Sequence, residues 1–381
     1  MNVGIVCYAS MGGSGIVATE LGKALATRGH EVHLISADLP FRLGTFDPGL
    51  SFHQVNTPSY PLFREPQYLL SLANAIVRVS REHDLEIVHA HYAVPHAIAA
   101  VLARQVLAAS GAGASPRVVT TLHGTDITVV GADPSYSEIV AFSIAQSDGV
   151  TAVSRSLREA TTRELAIGRP IDVIPNFLDC DVYRRISAPA LRARYTHGAP
   201  DVRVVMHVSN FRPVKRIDSV LEVFARIAAR LPSVLLLVGD GPEIALARRM
   251  AAHLGVADRV QYVGAQENVI PLLSIADLFL LPSEQESFGL AALEAMACEV
   301  PVVTSDAGGL PEVIEHDRTG FVHPVGDVHG MAESGWRLLT DAPLRARITA
   351  EAVRTVRQRF CVDLIVPMYE DHYRRARSGA A

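Results

Sequence analysis

The chain has 381 residues and a net charge of −5, with 35 lysines and arginines against 40 aspartates and glutamates. At about 150 residues per domain, this length predicts two domains, each able to bury its own core. A hydrophobic content of 49% with 20% charged residues excludes a disordered chain. The mild acidity argues against non-specific nucleic-acid binding, which requires a basic surface.

The cysteines and the first residues bear on the cellular compartment. Cys7, Cys180, Cys298 and Cys361 are widely separated and form no C-x-x-C pair. This spacing argues against a disulfide framework or a zinc site and is typical of a reducing compartment. No positive charge precedes the first apolar run, as a secretory signal would require, and no apolar stretch reaches the length of about 20 residues that a membrane span needs. We expect a soluble cytoplasmic protein; the sequence leaves peripheral membrane attachment and a homo-oligomer open.

In chain order, short apolar runs alternate with helical patterns. The first series predicts strands at 3–8, 31–36, 87–89, 118–122, 150–153 and 171–174, and helices at 16–28, 95–109 and 137–146. The second series predicts strands at 202–208, 234–238, 260–263, 278–281 and 301–304, and helices at 217–231, 243–254 and 290–297. Apolar strands without polar alternation are buried on both faces, as in parallel sheets.

The two series predict an α/β protein with two Rossmann-like domains, each with a doubly wound parallel sheet. The first domain is predicted at 1–168, completed by a C-terminal helix at 361–378. The second is predicted at 169–360. Ligands of such sheets bind outside the carboxyl ends of the strands, so we expect the ligand site in a cleft between the two domains.

A glycine-rich segment, GGSG at 12–15, separates the first predicted strand from the first predicted helix. Glycine lets the backbone approach a ligand, and a helix N-terminus offers free N–H groups to an anion. Gly13, Gly15 and Ala18 also satisfy G-x-G-x-x-A, with Asp38 about 20 residues further on, which is typical of a nicotinamide dinucleotide site. A strand-to-helix turn without a ligand is the plain alternative.

Two further loops follow predicted strands. His123 comes directly after the strand at 118–122, where its side chain would point into the cleft, although isolated histidines are often structural. Arg212, Lys215 and Arg216 follow the strand at 202–208. Arginine can grip phosphate oxygens in a bidentate fork and lysine supplies a point charge, so this loop could neutralise a diphosphate. A solvated basic loop is the alternative.

The strongest pattern is a pair of glutamates around a helix start. Glu286 lies in the loop after the strand at 278–281, and Glu294 lies within the next predicted helix. Backbone N–H groups of residues 287–290 would be free at that helix N-terminus. Carboxylates can hold sugar and ribose hydroxyls while these N–H groups hold phosphate. The alternative to a ligand site is that Glu286 only caps the helix and Glu294 is a solvent-exposed helix residue.

Together these segments resemble the retaining GT-B glycosyltransferases of family 4 over nearly the whole chain. The resemblance rests on the glycine-rich loop, the Arg/Lys loop and the glutamate pair. More specific strings are PFRL at 40–43, HAHYA at 89–93, TLHGTDIT at 121–128 and the segment 208–216. They are most similar to the branch of the family that acts in bacillithiol biosynthesis. The resemblance implies transfer of N-acetylglucosamine from UDP-N-acetylglucosamine to the hydroxyl of L-malate, with the α configuration retained.

The resemblance also implies roles for individual residues. The implied donor-binding residues are Gly15, Ser209, Arg212, Lys215, Val263, Gly264, Glu286, Ser287, Phe288, Gly289, Leu290 and Glu294. The implied acceptor-binding residues are Gly13, Ser14, Tyr92 and Thr121. To these we add Arg155, because it follows a predicted strand at its cleft-facing end. The implied catalytic residues are His123, Glu286, Arg212 and Lys215.

Two positions depart from the family pattern. Ala141 stands near the position where the family has an arginine that could meet an acceptor carboxylate, and Glu299 stands where a glycine is common. We expect neither a catalytic metal ion nor another cofactor, with cations of the Arg/Lys loop in the place of a metal. The implied reaction is same-face attack through an oxocarbenium-like ion pair, with the leaving phosphate taking the acceptor proton. Domain closure around the donor is expected.

Three alternatives remain open at this point. The acceptor could be another small molecule, such as an inositol phosphate, or a lipid. A nicotinamide-dependent oxidoreductase would use the glycine-rich loop but leaves the Arg/Lys loop and the glutamate pair unexplained. A sugar-nucleotide-binding module without catalysis would use the same residues but would not turn over the donor.

Overall fold

The structure is a computed structural model. It describes residues 1–9, 12–44, 47–59, 65, 67–111 and 115–380. The chain forms two compact units: unit 1 comprises Met1–Asn176 together with Val362–Ala381, and unit 2 comprises Phe177–Cys361. Among the helices of the described ranges, none combines the length and apolar character needed to cross a bilayer.

Unit 1 is built on a seven-stranded sheet in which neighbouring strands are parallel. The strands are β1 (Asn2–Val6), β2 (Glu31–Ser36), β3 (Leu50–Gln54), β4 (Ile87–His91), β5 (Arg117–Leu122), β6 (Gly149–Ala152) and β7 (Asp172–Val173). Their order across the sheet is β3-β2-β1-β4-β5-β6-β7. The chain moves outward in one direction from β1 and in the other from β4. The topological switch point therefore lies between these two strands.

Helices connect the successive strands of unit 1 except β2 and β3, between which the described residues form no helix. They are α1 (Gly13–Thr27), α2 (Tyr68–His83), α3 (Ile98–Ala109), α4 (Ser137–Gln146) and α5 (Arg155–Glu164). Because crossover helices cover both faces of a parallel sheet, the central strands are buried on both faces. In β1, for example, Val3, Ile5 and Val6 are all fully buried.

Unit 2 contains a six-stranded sheet, also parallel. The strands are β8 (Arg203–Val208), β9 (Ser233–Val238), β10 (Val260–Gly264), β11 (Leu278–Leu281), β12 (Val302–Ser305) and β13 (Phe321–His323). The order across the sheet is β10-β9-β8-β11-β12-β13. The switch point of this sheet lies between β8 and β11.

The helices of unit 2 pack their apolar faces on this sheet and on one another. They are α6 (Pro189–Thr196), α7 (Ile217–Ala228), α8 (Ile244–His253), α9 (Ile270–Ile275), α10 (Leu290–Ala297), α11 (Leu310–Val313), α12 (Val328–Thr340) and α13 (Ala342–Arg359). In α7, Val220, Phe224 and Ile227 repeat at helical spacing and join the core with Leu235 and Leu237 of β9.

The last helix, α14 (Val362–Ser378), belongs to unit 1. Its Tyr373 hydroxyl lies 2.8 Å from His89 Nδ1, and its His372 Nδ1 lies 2.9 Å from a carboxylate oxygen of Asp172. A Cβ at Gly149 would collide with the His372 ring, so this residue lets the helix lie close to β6. Unit 1 is therefore assembled from the two ends of the chain.

The predicted fold class, α/β with two parallel sheets, is confirmed. The sequence analysis missed β3, α2 and α5 in unit 1, and β13, α6, α9, α11, α12 and α13 in unit 2. The predicted domain boundary at 168/169 lies before β7, whereas unit 1 extends to Asn176. The reason is that β7 pairs with β6 and so continues the sheet of unit 1.

The expectation of no disulfide is wrong. Cys180 and Cys361 are bonded, with Cα atoms 5.5 Å apart across a sequence separation of 181 residues. Leu178 pairs with Cys361 in a parallel bridge, so the segment that enters unit 2 runs beside the segment that leaves it. Cys7 and Cys298 are buried as free thiols, and burial raises the pKa of each to about 12.

Candidate active site

In unit 2, the predicted cationic and acidic residues meet at the switch point. β8 and β11 are neighbours, so the loops after their carboxyl ends lie side by side. The first loop carries Arg212 and Lys215, and the second carries Glu286. A backbone hydrogen bond of 2.8 Å from Glu284 N to the Val214 carbonyl ties the two loops together.

Lys215 and Glu286 form an ion pair between these loops. The lysine Nζ lies 2.6 Å from Glu286 Oε2, and the two side chains are only 19% and 15% exposed. The Ser283 hydroxyl lies 3.5 Å from the same carboxylate oxygen. Two residues predicted for different parts of the donor are thus in direct contact, and each orients the other.

The two arginines of the loop after β8 differ in their contacts. The Arg216 guanidinium pairs with Asp218, two residues on, at 2.9 Å. Within the described ranges, no hydrogen bond or ion pair engages the half-buried Arg212 side chain. Arg212 is therefore available to a bound anion, whereas Arg216 is already neutralised by its own helix.

Ser209, at the end of β8, is oriented by a buried histidine. His207 Nδ1 donates to the Leu280 carbonyl at 2.8 Å, so its Nε2 accepts a hydrogen bond from the Ser209 hydroxyl, also at 2.8 Å. Burial lowers the pKa of His207 to about 4, which keeps the ring neutral and able to accept. The hydroxyl oxygen accepts from Phe211 N at 3.2 Å. Ser209 is thus held by internal contacts.

Gly308 and Gly309, which the sequence analysis missed, pack against the loop that carries Glu286. Gly309 N donates to the Glu286 carbonyl at 2.9 Å. A Cβ at either glycine would collide with the carbonyl of Glu286 or Ser287, and Gly308 has a φ of 52°. The GG pair after a buried strand is a signal that sequence reasoning could have used.

Helix α10 begins where the sequence predicts donor contacts. Gly289, with a φ of 97°, precedes its first residue, Leu290. Phe288 is 3% exposed, so only its backbone can face a ligand. Glu294, in the second turn, is 5% exposed, and its Oε1 accepts a hydrogen bond from the Tyr183 hydroxyl at 2.8 Å. Tyr183 lies in an irregular connector, and no sequence pattern pointed to it.

Val263 and Gly264 end β10, the edge strand of the same sheet. The Val263 carbonyl accepts from Gln266 Nε2 at 3.3 Å, and the Gly264 carbonyl accepts from Gly239 N at 2.9 Å. Both residues lie at the carboxyl edge of the sheet with the other donor loops. Their predicted contact with the uracil base stays a prediction.

Glu299, one of the two departures from the family pattern, lies in the turn after α10. Its φ of 60° is in the left-handed region, which favours glycine. Its carbonyl accepts from Arg185 Nη1 at 3.2 Å. This departure from the family pattern therefore affects the conformation of the turn after α10.

In unit 1, the glycine-rich segment lies at the switch point between β1 and β4. Helix α1 begins at Gly13, three residues before the predicted start, so Gly13, Ser14 and Gly15 form its first turn. Gly15 N donates to the Gly12 carbonyl at 3.1 Å. No acidic side chain lies in this turn, so the partial positive charge of the helix end favours an anion. The predicted contact of Gly15 with the donor diphosphate stays a prediction.

Tyr92 and His123 come together at the carboxyl ends of β4 and β5. Their ring centroids are 5.4 Å apart, and the Tyr8 ring lies 5.5 Å from that of Tyr92. Tyr92 has a φ of 92°, and its N–H donates to the Thr121 carbonyl at 3.0 Å. The structure thus joins one predicted acceptor residue to one predicted catalytic residue.

His123 is held by a second histidine. His91 Nδ1 and His123 Nε2 are 2.9 Å apart and share a hydrogen bond. One of these nitrogens carries a proton and donates the hydrogen bond, and the other accepts the hydrogen bond. Burial lowers the pKa of His123 to about 3 and that of His91 well below its ordinary value. At neutral pH, His123 can therefore donate or accept a hydrogen bond but adds no positive charge.

Asp126 organises the loops around His123, a role that the sequence analysis did not assign. Its Oδ1 accepts from His123 N at 3.2 Å and from Gly124 N at 2.8 Å, while its Oδ2 accepts from Ala93 N at 3.3 Å. The carboxyl is fully buried, and desolvation raises its pKa to about 6 against the effect of these hydrogen bonds. An aspartate three residues after a loop histidine is a readable signal for such a turn.

Thr121 and Arg155 have different surroundings in unit 1. Thr121 is fully buried, with its hydroxyl 2.7 Å from both His89 Nε2 and the Thr151 hydroxyl. This placement does not support the predicted acceptor contact through the Thr121 side chain. Arg155 is exposed as the first residue of α5, three positions after the last residue of β6. Ala141, the other departure, lies half-buried in α4.

Residues 11–182 match the family model Glycosyltransferase Family 4, and residues 194–355 match Glycosyl transferases group 1. The fold and these matches define the class as glycosyltransferase, and the chain belongs to family 4. It is 45% identical to N-acetyl-alpha-D-glucosaminyl L-malate synthase of Bacillus anthracis, across 98% of this chain and 96% of that protein. The family prediction is confirmed, and nothing in these matches supports an oxidoreductase.

Two further proteins extend the comparison. A GDP-mannose-dependent alpha-(1-6)-phosphatidylinositol monomannoside mannosyltransferase of Mycolicibacterium smegmatis is 30% identical over 77% of this chain and 78% of its own length. The solved structure of sucrose-phosphate synthase from Thermosynechococcus elongatus aligns with a TM-score of 0.79 at 22% identity, covering 98% of each chain. At that identity the likeness concerns the GT-B fold.

Proposed function

We propose that this chain transfers N-acetylglucosamine from UDP-N-acetylglucosamine to the hydroxyl of L-malate, the first step of bacillithiol biosynthesis. The observation that carries the proposal is the 45% identity to the L-malate synthase over 98% of this chain and 96% of that enzyme. The loops at the two switch points would supply the polar groups that such a reaction needs.

The donor is proposed to bind at the switch point of unit 2. Arg212 and Lys215 would face the diphosphate, and the N–H groups at the start of α10 would add hydrogen bonds to donor oxygens. Glu294 would accept hydrogen bonds from the ribose hydroxyls, with Tyr183 holding its carboxylate at 2.8 Å. Glu286 would bind hydroxyls of the transferred sugar, oriented by its ion pair with Lys215 at 2.6 Å.

The acceptor is proposed to bind at the switch point of unit 1. Malate carries two carboxylates, and the first turn of α1, free of acidic residues, offers N–H groups and partial positive charge. Ser14 and Tyr92 would donate hydrogen bonds to the acceptor. His123, neutral because burial lowers its pKa to about 3, would contact the transferred sugar without repelling the cationic transition state.

We propose a same-face reaction that retains the α configuration. The bond from the anomeric carbon to the UDP oxygen breaks, and a bond to the malate oxygen forms on the same side. The malate hydroxyl proton passes to the departing phosphate oxygen. The protein contributes stabilisation of the negative charge on UDP, through Arg212 and Lys215, and orientation of the two substrates. No metal ion or other cofactor is part of this proposal.

The test is an assay of UDP release with defined donors and acceptors. With UDP-N-acetylglucosamine, release should depend on L-malate, and NMR of the product should show an α linkage. Inositol 3-phosphate and glycerol serve as alternative acceptors, and UDP-glucose and GDP-mannose as alternative donors. Turnover should continue in EDTA. Preference for another acceptor would contradict the malate assignment, and release without any acceptor would contradict the transfer reaction.

Replacing Arg155 by alanine should raise the malate KM at least about tenfold, because a bidentate arginine–carboxylate contact contributes about 1.5–3 kcal/mol. The KM for UDP-N-acetylglucosamine should be nearly unchanged. Arg163, 70% exposed on the same helix, provides the matched control, and Arg163→Ala should leave both constants as they are. Wild-type malate kinetics in Arg155→Ala would leave the start of α1 as the carboxylate site.

A further inference from the structure

Three histidines converge beside the outer strands of unit 1, apart from the loops described above. His33 lies on β2, His53 on β3, and His83 is the last residue of α2. One ligand nitrogen from each lies within 4.8 Å of the others. His33 Nδ1 is 3.0 Å from His53 Nε2, and the His33 and His83 rings stack at 4.1 Å.

The local fold explains why the three side chains meet. In the pairing of β2 with β3, His53 is opposite Ile35. His33 precedes Ile35 by two residues, so the two point to the same face of β2, and His53 lies diagonally across from His33. Helix α2 packs on that face and brings His83 at its end over the His33 ring.

The contacts of His33 are unusual for a histidine that serves only to pack. Its side chain is 1% exposed, and its Nε2 has no hydrogen-bond partner in the described part of the chain. The nearest acidic oxygen, Glu31 Oε1, is 3.5 Å away. A metal ion bound to His33 Nδ1 would leave the ring proton on Nε2, from which it can be donated to Glu31, the usual arrangement of a metal-bound histidine with a carboxylate partner.

The charged groups around the cluster also suit a cation. Imidazole binds a metal through a ring nitrogen of its neutral form. Glu31 adds negative charge, while Glu82 and Arg78, which face His53, pair with each other at 3.2 Å.

We propose that His33, His53 and His83 form a zinc site, with a water molecule as the fourth ligand. Zinc binds imidazole nitrogens at about 2.0–2.1 Å in tetrahedral geometry, which sets the nitrogens about 3.3–3.4 Å apart. The 3.0 Å separation of His33 Nδ1 and His53 Nε2 is close to this spacing. His53 and His83 are half-buried, so an ion can reach the site from solvent and small rotations of these rings can complete it.

The position of the site gives it a structural role. His33 is paired with Gly4 in the middle of β1, whereas the acceptor loops follow the carboxyl ends of β1, β4 and β5. The ion would join β2, β3 and α2, and β3 is the edge strand of the sheet. Metal binding should therefore stabilise unit 1 without entering the transfer reaction.

The test is a titration of chelator-treated protein with ZnCl₂ by calorimetry, with CoCl₂ absorption as a spectroscopic probe of coordination. One zinc ion should bind per chain, and Co²⁺ should give visible bands typical of tetrahedral nitrogen ligands. His53→Gln and His83→Gln should each lower the zinc affinity at least about tenfold. His33 is not replaced in this test, because a substitution at this buried position would disturb the packing of the core and destabilise the fold.

His253→Gln is the matched control, because His253 is exposed at the end of α8 in unit 2 and lies outside the cluster. It should bind zinc like the wild type. Zinc should also raise the midpoint of thermal unfolding of the wild type, but not of the His53→Gln, His83→Gln double variant, with circular dichroism verifying the fold of that variant. Equal zinc uptake by the wild type and the double variant would overturn the proposal.

Discussion

Replacing Lys215 or Arg212 by alanine is expected to lower kcat/KM for UDP-N-acetylglucosamine at least about tenfold. Charge-assisted contacts to phosphate contribute about 1.5–3 kcal/mol each, which corresponds to roughly 10- to 150-fold in rate. Lys215→Ala should have the larger effect, because it also leaves Glu286 without the cation that lies 2.6 Å from its carboxylate. Steady-state kinetics with malate in excess provides the measurement.

Arg216→Ala is the matched control for this loop. Arg216 follows Lys215 directly, but its guanidinium pairs with Asp218 at 2.9 Å. Its loss should therefore change kcat/KM far less than loss of either neighbour. The double variant Lys215→Ala, Glu286→Gln separates the phosphate contact from the ion pair, because the two losses should not add if the residues act together. Wild-type kinetics in both Arg212→Ala and Lys215→Ala would refute the proposed diphosphate site.

The two glutamates should differ in which ligand they affect. Glu294→Gln should weaken the binding of UDP at least about tenfold, because loss of a charge-assisted hydrogen bond to the ribose costs about 1.5–3 kcal/mol. Glu286→Gln should leave the Kd of UDP nearly unchanged and lower kcat, because UDP lacks the sugar that Glu286 is proposed to bind. Calorimetry with UDP and steady-state assays measure the two effects.

Tyr183→Phe tests how much of the Glu294 effect depends on orientation. It removes the hydroxyl that donates to Glu294 Oε1 at 2.8 Å but keeps the carboxylate. A loss of UDP affinity smaller than that of Glu294→Gln is expected. If Glu286→Gln and Glu294→Gln weakened UDP binding equally, the division between sugar and ribose would be wrong.

The buried parts of the fold were predictable from sequence because their strands are continuous apolar runs. β3 was not, because it is an edge strand with exposed Ser51 and Gln54, which leaves no apolar run. Helix α2 was predictable, since Leu72, Ile76 and Val79 are buried at helical spacing. It was nevertheless not among the predicted helices.

The location of the candidate site followed from the sequence because loops after parallel strands meet at one edge of a sheet. The contacts that join particular side chains could not be predicted from the sequence. Tyr183 reaches Glu294 from an irregular connector, and Cys180 meets Cys361 across 181 residues. Such pairings depend on tertiary packing between segments with no local pattern in common. The predicted roles of the site residues stay predictions until the variants above are measured.

The split of unit 1 between the two ends of the chain has a consequence for the order of events during synthesis. The ribosome must make the 185 residues of unit 2, from 177 to 361, before α14 exists. At 5–20 residues per second this takes roughly 10–40 s, ample time for unit 2 to fold on its own. During that interval, His89 lacks its hydrogen-bond partner Tyr373, and Asp172 lacks its partner His372. The synthesis of unit 1 thus begins before that of unit 2 and ends after it. We expect chaperones to bind the incomplete form of unit 1 during this interval.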